Sequence, residues 1–131
     1  QTSKRFVVLV VEDEEIQRDL FRQQFAAMDL PIDLHLACNG YQGLVMYGRL
    51  EPHLVITDLA MPEMDGFRMI AELSGLGVNE KAIIVITGLS NDEIASKGGL
   101  PKDMTVLSRP VEFEKLKKLL AQRLESRVRL P

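Results

Sequence analysis

Runs of apolar residues alternate along this chain with segments of helical periodicity, and this alternation constrains the fold more than any other feature. The first run, residues 6–11, has six consecutive apolar residues rich in valine, which is typical of a strand covered on both faces. Further strands are predicted at residues 32–37, 54–57, 82–87 and 105–107. Such alternation favours right-handed crossovers and a mainly parallel α/β sheet with helices on both faces.

The segments between the strands predict helices that pack on the sheet. Apolar residues recur at spacings near four in the first such segment, at Ile16, Leu20, Phe25 and Met28. The last segment has a clearer stripe, formed by Phe113, Leu116, Leu119, Leu120 and Leu124. Weaker patterns predict helices at residues 41–50, 66–73 and 91–97, and glycines at 75, 77, 98 and 99 end the last two.

Composition indicates one soluble globular domain. The chain has 131 residues, of which 46% are apolar and 27% charged, which argues against disordered, collagen-like and coiled-coil classes. No apolar run approaches the roughly 18–20 residues that cross a bilayer, so we expect a cytoplasmic protein without a membrane partner. The single cysteine, Cys38, excludes an internal disulfide and a multi-cysteine zinc site. We predict a folded domain over residues 6–125, between an N-terminal tail, 1–5, and a C-terminal tail or linker, 126–131.

The net charge of −3 is distributed unevenly along the chain. Residues 1–110 carry 16 acidic and 10 basic side chains, whereas residues 111–131 carry 3 acidic and 6 basic ones. The basic excess lies in the predicted last helix, where a solvated face is a simpler interpretation than a nucleic-acid surface. We therefore expect no direct binding to nucleic acid, and the last helix is a candidate for homodimerisation or for linkage to an effector.

Polar residues follow the predicted strands where each strand ends. Glu12 and Asp13 follow the first strand, Asp58 follows the third, Thr87 ends the fourth and Arg109 comes after the fifth. Because ligands of open parallel sheets bind at the carboxyl ends of the strands, these groups are expected to converge there.

The chemistry of this set favours a hard cation and phosphate. Up to three carboxylates, those of Glu12, Asp13 and Asp58, recruit Mg²⁺ or Mn²⁺ rather than zinc, because imidazole and thiolate ligands are missing. Asp58 is a candidate nucleophile toward an activated phosphoryl group, with the Thr87 hydroxyl and the Arg109 cation neutralising its oxygens. The chain has no Walker A sequence and no G-x-G-x-x-G sequence, so it lacks the common nucleotide-binding motifs.

These residues resemble the receiver, or phosphoacceptor, domain of two-component response regulators. The resemblance rests on four segments, which are residues 7–14, 54–66, 84–88 and 109–110. Its most specific part is the D-x-x-M-P-x-M-D-G sequence that begins at Asp58 and ends at Gly66. The resemblance covers roughly residues 5–125, nearly the whole chain.

The resemblance implies a flavodoxin-like fold, with a five-stranded parallel sheet in the order 2-1-3-4-5. It implies that Asp58 receives a phosphoryl group from a sensor histidine kinase or a phosphotransfer protein, in a signalling domain that is not itself an enzyme. Asp13 would be the main metal ligand, Glu12 would act largely through water, and the Ala60 backbone carbonyl would be a third ligand. Thr87 would move toward the phosphate, and the peptide bond between Arg109 and Pro110 would be cis.

Two departures from the family pattern leave alternatives open. Arg109 stands where the family has lysine, and a guanidinium is planar and bidentate whereas an ammonium is a point charge. The chain is therefore either a phosphorylated receiver or a degenerate receiver that acts as a phosphorylation-independent interaction module. Val106 stands where the family often has Tyr or Phe, so any switch is expected to move backbone loops rather than a ring. A phosphatase of the haloacid dehalogenase type is disfavoured, because Ala60 occupies the position of its general acid.

Overall fold

A computed structural model describes residues 5–129; the rest of the two predicted tails, residues 1–4 and 130–131, lies outside the described part. Within that part five strands alternate with five α-helices, and a short 3-10 turn, Glu80–Ala82, precedes the fourth strand. The strands are β1 (Phe6–Val11), β2 (Ile32–Ala37), β3 (Leu54–Thr57), β4 (Ile83–Thr87) and β5 (Thr105–Ser108). The helices are α1 (Glu15–Ala27), α2 (Gly40–Leu50), α3 (Gly66–Gly75), α4 (Asn91–Ser96) and α5 (Phe113–Arg129).

The strands form one parallel sheet in the order β2-β1-β3-β4-β5, as predicted. β1 lies between β2 and β3, with Val11 paired to both Ala37 and Thr57. At the other side Thr87 of β4 pairs with Ser108 of β5. The strand order reverses beside β1, so β1 and β3 end next to each other at the carboxyl edge of the sheet.

Both faces of the sheet are covered, which confirms the interpretation of the apolar runs. Leu9 and Val11 pack in the layer that contains α2 and α3, whereas Val8 and Val10 pack against α1 and α5. All four side chains are at most 1% exposed. Each such side chain contributes about 1.5–3 kcal/mol relative to an exposed one, so the two layers fix the strands firmly.

The predicted apolar stripe of α1 is wrong at its first position. Ile16 is 80% exposed, and the side chains of α1 that pack into the core are Phe21 and Phe25, followed by Met28. Ile16 and Phe21 are five residues apart, about 140° around a helix, so they cannot share a face. In α5 the predicted stripe is confirmed by Leu116 and Leu120, which are fully buried.

Of the four glycines predicted to end α3 and α4, Gly75 is the last residue of α3, and the other three follow the helices with positive φ angles. Gly77 has a φ of 90°, and the Val78 N–H donates to the Leu73 carbonyl in the arrangement of a Schellman cap. Gly98 and Gly99 end α4 in the same way, with φ angles of 106° and 75°. Within residues 5–129 no helix is both long enough and apolar enough to cross a bilayer.

Candidate functional site

The carboxyl edge of the sheet carries the predicted residues on four neighbouring loops. Glu12 and Asp13 follow β1, Asp58 follows β3, Thr87 ends β4 and Arg109 follows β5. The Arg109 N–H donates to the Thr87 carbonyl at 3.0 Å, which extends the pairing of β4 with β5 up to the site. The sheet therefore fixes the backbone of Thr87 and Arg109, and the Glu12 N–H donates to the Ala37 carbonyl at 2.9 Å. Asp13 and Asp58 lie in the loops that follow β1 and β3.

The two oxygens of the Asp58 carboxylate have different surroundings. Oδ1 accepts the backbone N–H groups of Leu59, at 2.6 Å, and Ala60, at 3.3 Å. Oδ2 lies 3.3 Å from Nε of Arg109. The side chain is 12% exposed, so the carboxylate is held by its own loop yet reachable from the edge of the sheet.

The loop that carries Asp58 is shaped by Gly66, at the start of α3. The Gly66 N–H donates to the Leu59 carbonyl at 2.9 Å, which closes the loop. A Cβ atom at Gly66 would lie 2.1 Å from the Asp58 carbonyl oxygen and 2.7 Å from the Leu59 Cα. Only glycine permits this approach, which gives a physical reason for the last residue of the D-x-x-M-P-x-M-D-G sequence.

Arg109 joins three side chains at the site. Its guanidinium pairs with the Glu12 carboxylate through Nη2, donates to Gln17 Oε1 through Nη1 at 3.2 Å, and places Nε near Asp58. The peptide bond to Pro110 is cis, as the resemblance implied. Among the described side chains, Arg109 Nε is the one buried polar atom without a hydrogen-bond partner, because its contact with Asp58 Oδ2 is ionic but poorly aligned. That N–H therefore lies beside Asp58 Oδ2 without donating a hydrogen bond to it.

Glu12 is the most deeply buried acid of the site, with a side chain 2% exposed. Burial raises the pKa of its carboxyl, and this effect outweighs the lowering by the Glu14 N–H and by the charge of Arg109. The Glu14 N–H donates to Glu12 Oε2 at 3.1 Å, and Arg18 donates to the Glu12 carbonyl at 2.8 Å. Glu12 is thus a structural anchor for Arg109.

The expected grouping of three carboxylates is not formed. In the described residues no three His, Cys, Asp or Glu side chains lie close enough to share a metal ion. The reason is that Glu12 is turned toward Arg109 and the Glu14 amide rather than toward Asp58. Asp13, Asp58 and the Ala60 carbonyl remain a set of oxygen donors at this edge, and Mg²⁺ commonly binds to only one or two protein carboxylates.

Thr87 lies at the same edge but keeps its hydroxyl within its own loop. Its side chain is buried, and Oγ1 accepts the Leu89 N–H at 3.1 Å. Val106 lies on β5, at the position where the family often has Tyr or Phe, and its side chain is 40% exposed. The structure therefore brings Arg109 into contact with Asp58, and it leaves Thr87 bound to the loop before α4.

Sequence reasoning missed the two α1 residues that complete the network. Gln17 accepts from Arg109, and Arg18 holds the backbone after β1. A glutamine and an arginine in the first turns of an amphipathic helix are indistinguishable in sequence from solvated residues, so no signal pointed to them. Glu14 and Glu15 precede them, and only the fold shows which of these polar side chains turn toward the sheet edge.

Comparison with known proteins shows the family to which this chain belongs. The family model for the response regulator receiver domain matches residues 8–121. A 14.6 kDa protein from the sodA1 3′ region of Leptolyngbya boryana is 32% identical over 120 residues, covering 88% of this chain and 90% of that protein. The Regulator of RpoS from Escherichia coli K12 is 30% identical over 105 residues, 80% of this chain but 30% of its own length.

Other relatives are longer than the region they share with this chain. The probable C4-dicarboxylate response regulator DctR of Priestia megaterium is 26% identical over 119 residues, and the chain spans 52% of its length. Among solved structures, the signal receiver domain of an HD domain-containing protein from Pseudomonas fluorescens Pf-5 superposes with a TM-score of 0.80 at 27% identity, covering 94% of this chain and 97% of that one. The family match over residues 8–121 and the likeness of the fold together show that this chain belongs to the receiver-domain family of two-component response regulators.

Proposed function

We propose that Asp58 is the phosphoacceptor of this receiver domain and that Arg109 is its electrostatic partner. Two-component signalling is the function of the family, and its receiver domains are signalling modules rather than catalytic enzymes. The observation that carries the proposal is the asymmetry of the Asp58 carboxylate. Oδ1 is held by the Leu59 and Ala60 amides, whereas Oδ2 lies 3.3 Å from Nε of Arg109.

The proposed step is a nucleophilic displacement at phosphorus. Asp58 Oδ2 forms a bond to the phosphorus atom as the bond from phosphorus to the donor's imidazole nitrogen breaks, and the bonding electron pair leaves with the imidazole. The product is an acyl phosphate on Asp58. The Arg109 Nε–H, which has no hydrogen-bond acceptor in the resting site, is positioned to donate to one phosphoryl oxygen. Thr87 would supply a second donor once its hydroxyl leaves the Leu89 amide.

Receiver domains generally bind Mg²⁺, and the donor set at this edge suits a hard cation because it is made of oxygen atoms only. Asp13, Asp58 and the Ala60 carbonyl would hold the ion, with Glu12 acting through water. When bound, Mg²⁺ or Mn²⁺ would neutralise charge on the phosphoryl oxygens. Self-phosphorylation from small donors and autodephosphorylation would depend on it.

The phosphoryl donor is proposed to be a sensor histidine kinase or a phosphotransfer protein, and the output a fused or separate effector. Response regulators among the relatives are longer than this chain, which supports an effector outside the receiver region. The exposed cationic face of α5 is the proposed surface for a homodimer or for linkage to the effector.

The alternative, a phosphorylation-independent interaction module, rests on the Arg109 bridge. A guanidinium that already pairs with Glu12 and contacts Asp58 imitates part of the charge neutralisation that phosphorylation requires. The comparisons give this alternative no specific support. It predicts that Asp58→Asn leaves binding to the partner intact.

Incubation with acetyl phosphate and Mg²⁺, followed by intact-protein mass spectrometry, tests the proposal. One added phosphoryl group is expected on the parent chain and on Asp33→Asn, a control that changes an exposed carboxylate on β2, and none on Asp58→Asn. Beryllofluoride with Mg²⁺ should shift the amide NMR signals of Asp58 and Thr87. A folded parent chain that gains no phosphoryl group, with an unchanged spectrum at saturating reagent, would overturn the proposal and leave the interaction module.

A further inference from the structure

The β2 strand lies at one end of the strand order, and among residues 5–129 no other strand pairs with the side of β2 that faces away from β1. On the side toward β1, the Pro31 carbonyl accepts the Phe6 N–H at 3.0 Å and the Ala37 carbonyl accepts the Glu12 N–H at 2.9 Å. In a parallel ladder, the residues of one strand bond alternately to one side and to the other. The odd-numbered residues of β2 therefore bond to β1, and the even-numbered ones direct their backbone groups to the outer side.

The outer side of β2 is only partly occupied. The Ile32 N–H donates to the Leu30 carbonyl at 2.7 Å, and the Arg5 guanidinium donates to the Ile32 carbonyl. The backbone groups of Leu34 and Leu36 have no partner on this side among the described residues. A carbonyl oxygen has two lone pairs, so the Ile32 carbonyl keeps one acceptor site besides the one that Arg5 uses. The outer side thus offers the donors and acceptors of an unpaired strand.

The side chains of β2 differ between its two faces. Leu34 and Leu36 are partly buried in the layer of α1 and α5. On the opposite face, the side chain of Asp33 is 50% exposed and that of His35 is 31% exposed, and His35 Nε2 lies 3.1 Å from Asp33 Oδ2. A carboxylate has two oxygens and accepts several hydrogen bonds, so this contact leaves room for a further donor. One acid and one imidazole thus project, two residues apart, from the same face of an outermost strand.

A second copy of the chain that adds its own β2 in the antiparallel direction forms a closed, two-fold dimer. Three registers of this pairing are centred on the middle of the strand. Centring on Asp33 places the two Asp33 carboxylates opposite each other, and centring on His35 does the same to the two imidazoles. Centring on Leu34 instead places Asp33 of each copy opposite His35 of the other. Because opposite-charge and hydrogen-bonding pairs across strands stabilise a sheet whereas like charges destabilise it, the side chains select the Leu34 register.

The Leu34 register also suits the backbone of β2. The Leu34 N–H of each copy then meets the Leu34 carbonyl of the other, and the Leu36 N–H of each copy meets the Ile32 carbonyl of the other. Asp33 and His35 fall at the non-hydrogen-bonded positions, where side chains of antiparallel strands approach most closely. The other outermost strand, β5, has four residues and none of them is charged, so it has no pair that would fix a register in this way.

We propose that β2 pairs with β2 of a second copy in the antiparallel direction, centred on Leu34, so that the two sheets join into one continuous sheet. The observation that carries the proposal is the pair of Asp33 and His35, which is self-complementary in this register and in neither of its neighbours. Two strands of six residues form a small interface, so the dimer should be weak and should depend on concentration. This surface contains none of the residues around Asp58 and lies outside α5, so the inference stands apart from phosphorylation of Asp58.

Sedimentation equilibrium and amide–water exchange by NMR test the proposal on the whole chain, at concentrations from about 10 to about 500 μM. The mean molar mass should rise with concentration from that of a monomer toward that of a dimer. The Leu34 and Leu36 amides should exchange at least fivefold more slowly at the highest concentration than at the lowest. The Val106 amide should not change, because the Arg109 N–H bonds to β4 and Val106 therefore faces the outer side of β5. A monomer at every concentration would overturn the proposal and would mean that Asp33 protects β2 from pairing, and a dimer without slower exchange at Leu34 and Leu36 would overturn it too.

Exchange of charge between the two positions tests the register. Asp33→Lys places an ammonium group opposite His35, and His35→Asp places two carboxylates opposite each other, so each variant should weaken the dimer at least fivefold. The double variant with both changes restores complementary pairs and should dimerise within twofold of the parent chain. Lys118→Gln, on the exposed face of α5, and Asp58→Asn should both dimerise like the parent chain. A double variant as weak as the single ones would overturn the proposal, as would a dimer that Lys118→Gln weakens more than Asp33→Lys does.

Discussion

The two edges of the sheet carry opposite charge, although a single strand length separates them. At the carboxyl edge the carboxylates of Glu12 and Asp58 share the Arg109 guanidinium. At the amino edge three cations outnumber one carboxylate. Arg109 pairs with Glu12 and Gln17 at the carboxyl edge. At the amino edge Lys81, Arg123 and Arg127 line a cavity together with Asp103. The same sheet thus carries an ionic network around one arginine at one end and a cavity lined by three cations and one carboxylate at the other.

The two edges also respond to pH in opposite directions. At the carboxyl edge burial raises the pKa of Glu12, so its contribution to stability is complete below the unfolded value and is lost as pH rises through the folded value. At the amino edge the pKa of His53 is lowered, so its contribution is present above about 6.5 and is lost as pH falls through the folded value. Variants at each edge should separate these contributions.

Removing the cation at the carboxyl edge should have the largest effect on stability. Arg109→Met leaves the buried Glu12 carboxylate unpaired, and breaking a buried ion pair costs about 3 kcal/mol or more. The pKa of Glu12 should rise further in this variant, so the loss should be larger at pH 8 than at pH 5, where the carboxyl takes up a proton. Urea denaturation at the two pH values measures the free energies of unfolding.

The matched control for this change is Arg68→Met, which removes an exposed guanidinium from α3. Its effect should stay within about 0.5 kcal/mol and should not depend on pH. A similar loss in both variants would mean that Arg109 acts through general charge and not through Glu12.

Adding a methyl group at Gly66, at the same edge of the sheet, should have the next largest effect on the free energy of unfolding. Gly66→Ala places a Cβ atom 2.1 Å from the Asp58 carbonyl oxygen, so the loop must shift, at a cost of about 2–3 kcal/mol. Gly48→Ala is the control, because a Cβ at this position of α2 meets nothing within 4 Å. It should stabilise the chain by about 0.5–1 kcal/mol. Unfolding curves that coincide for the two variants would contradict the close approach at Gly66.

Gly66 and Gln17 show how far the sequence could predict the site. The family motif contains Gly66, and the strands around Asp58 were recognisable because each is a short apolar run followed by a polar residue. The carboxyl edge of a parallel sheet collects such residues, so the order of strands and polar residues along the chain is enough to place them together. The predicted strands agree with the observed ones to within one residue at each end.

The remaining features depend on side-chain direction and on distant contacts. Nothing in the sequence shows that Glu12 turns to Arg109, that Gln17 completes the pair, or that Ile16 points outward. The cavity at the amino edge of the sheet, which is lined by Lys81, Asp103, Arg123 and Arg127 among others, could not be predicted for a different reason. Its residues precede strands or lie near the end of α5, and their spacings along the chain, such as that between His53 and Arg127, follow no motif.

Removing a hydrogen-bond partner of Arg109 while keeping the arginine should have a smaller effect on the free energy of unfolding. Gln17→Ala deletes the acceptor 3.2 Å from Nη1, which should lower the free energy of unfolding by about 0.5–1.5 kcal/mol. It should also change the rate of phosphorylation by acetyl phosphate, because the guanidinium is then held by Glu12 alone. Gln23→Ala removes an exposed glutamine from the same helix and should change neither quantity. A rate equal to that of Gln23→Ala would show that Gln17 does not position Arg109.

The smallest expected effect on the free energy of unfolding lies at the amino edge. It is a change in how strongly that free energy depends on pH. Neutral His53 accepts the Val7 N–H through Nδ1, and a proton on that nitrogen would abolish the hydrogen bond. His53→Gln removes the titrating group, so the free energy of unfolding should fall less between pH 7.5 and pH 5 than it does in the parent chain. If His53→Gln and the parent lose stability equally over this range, His53 does not hold the start of β1 through its neutral form.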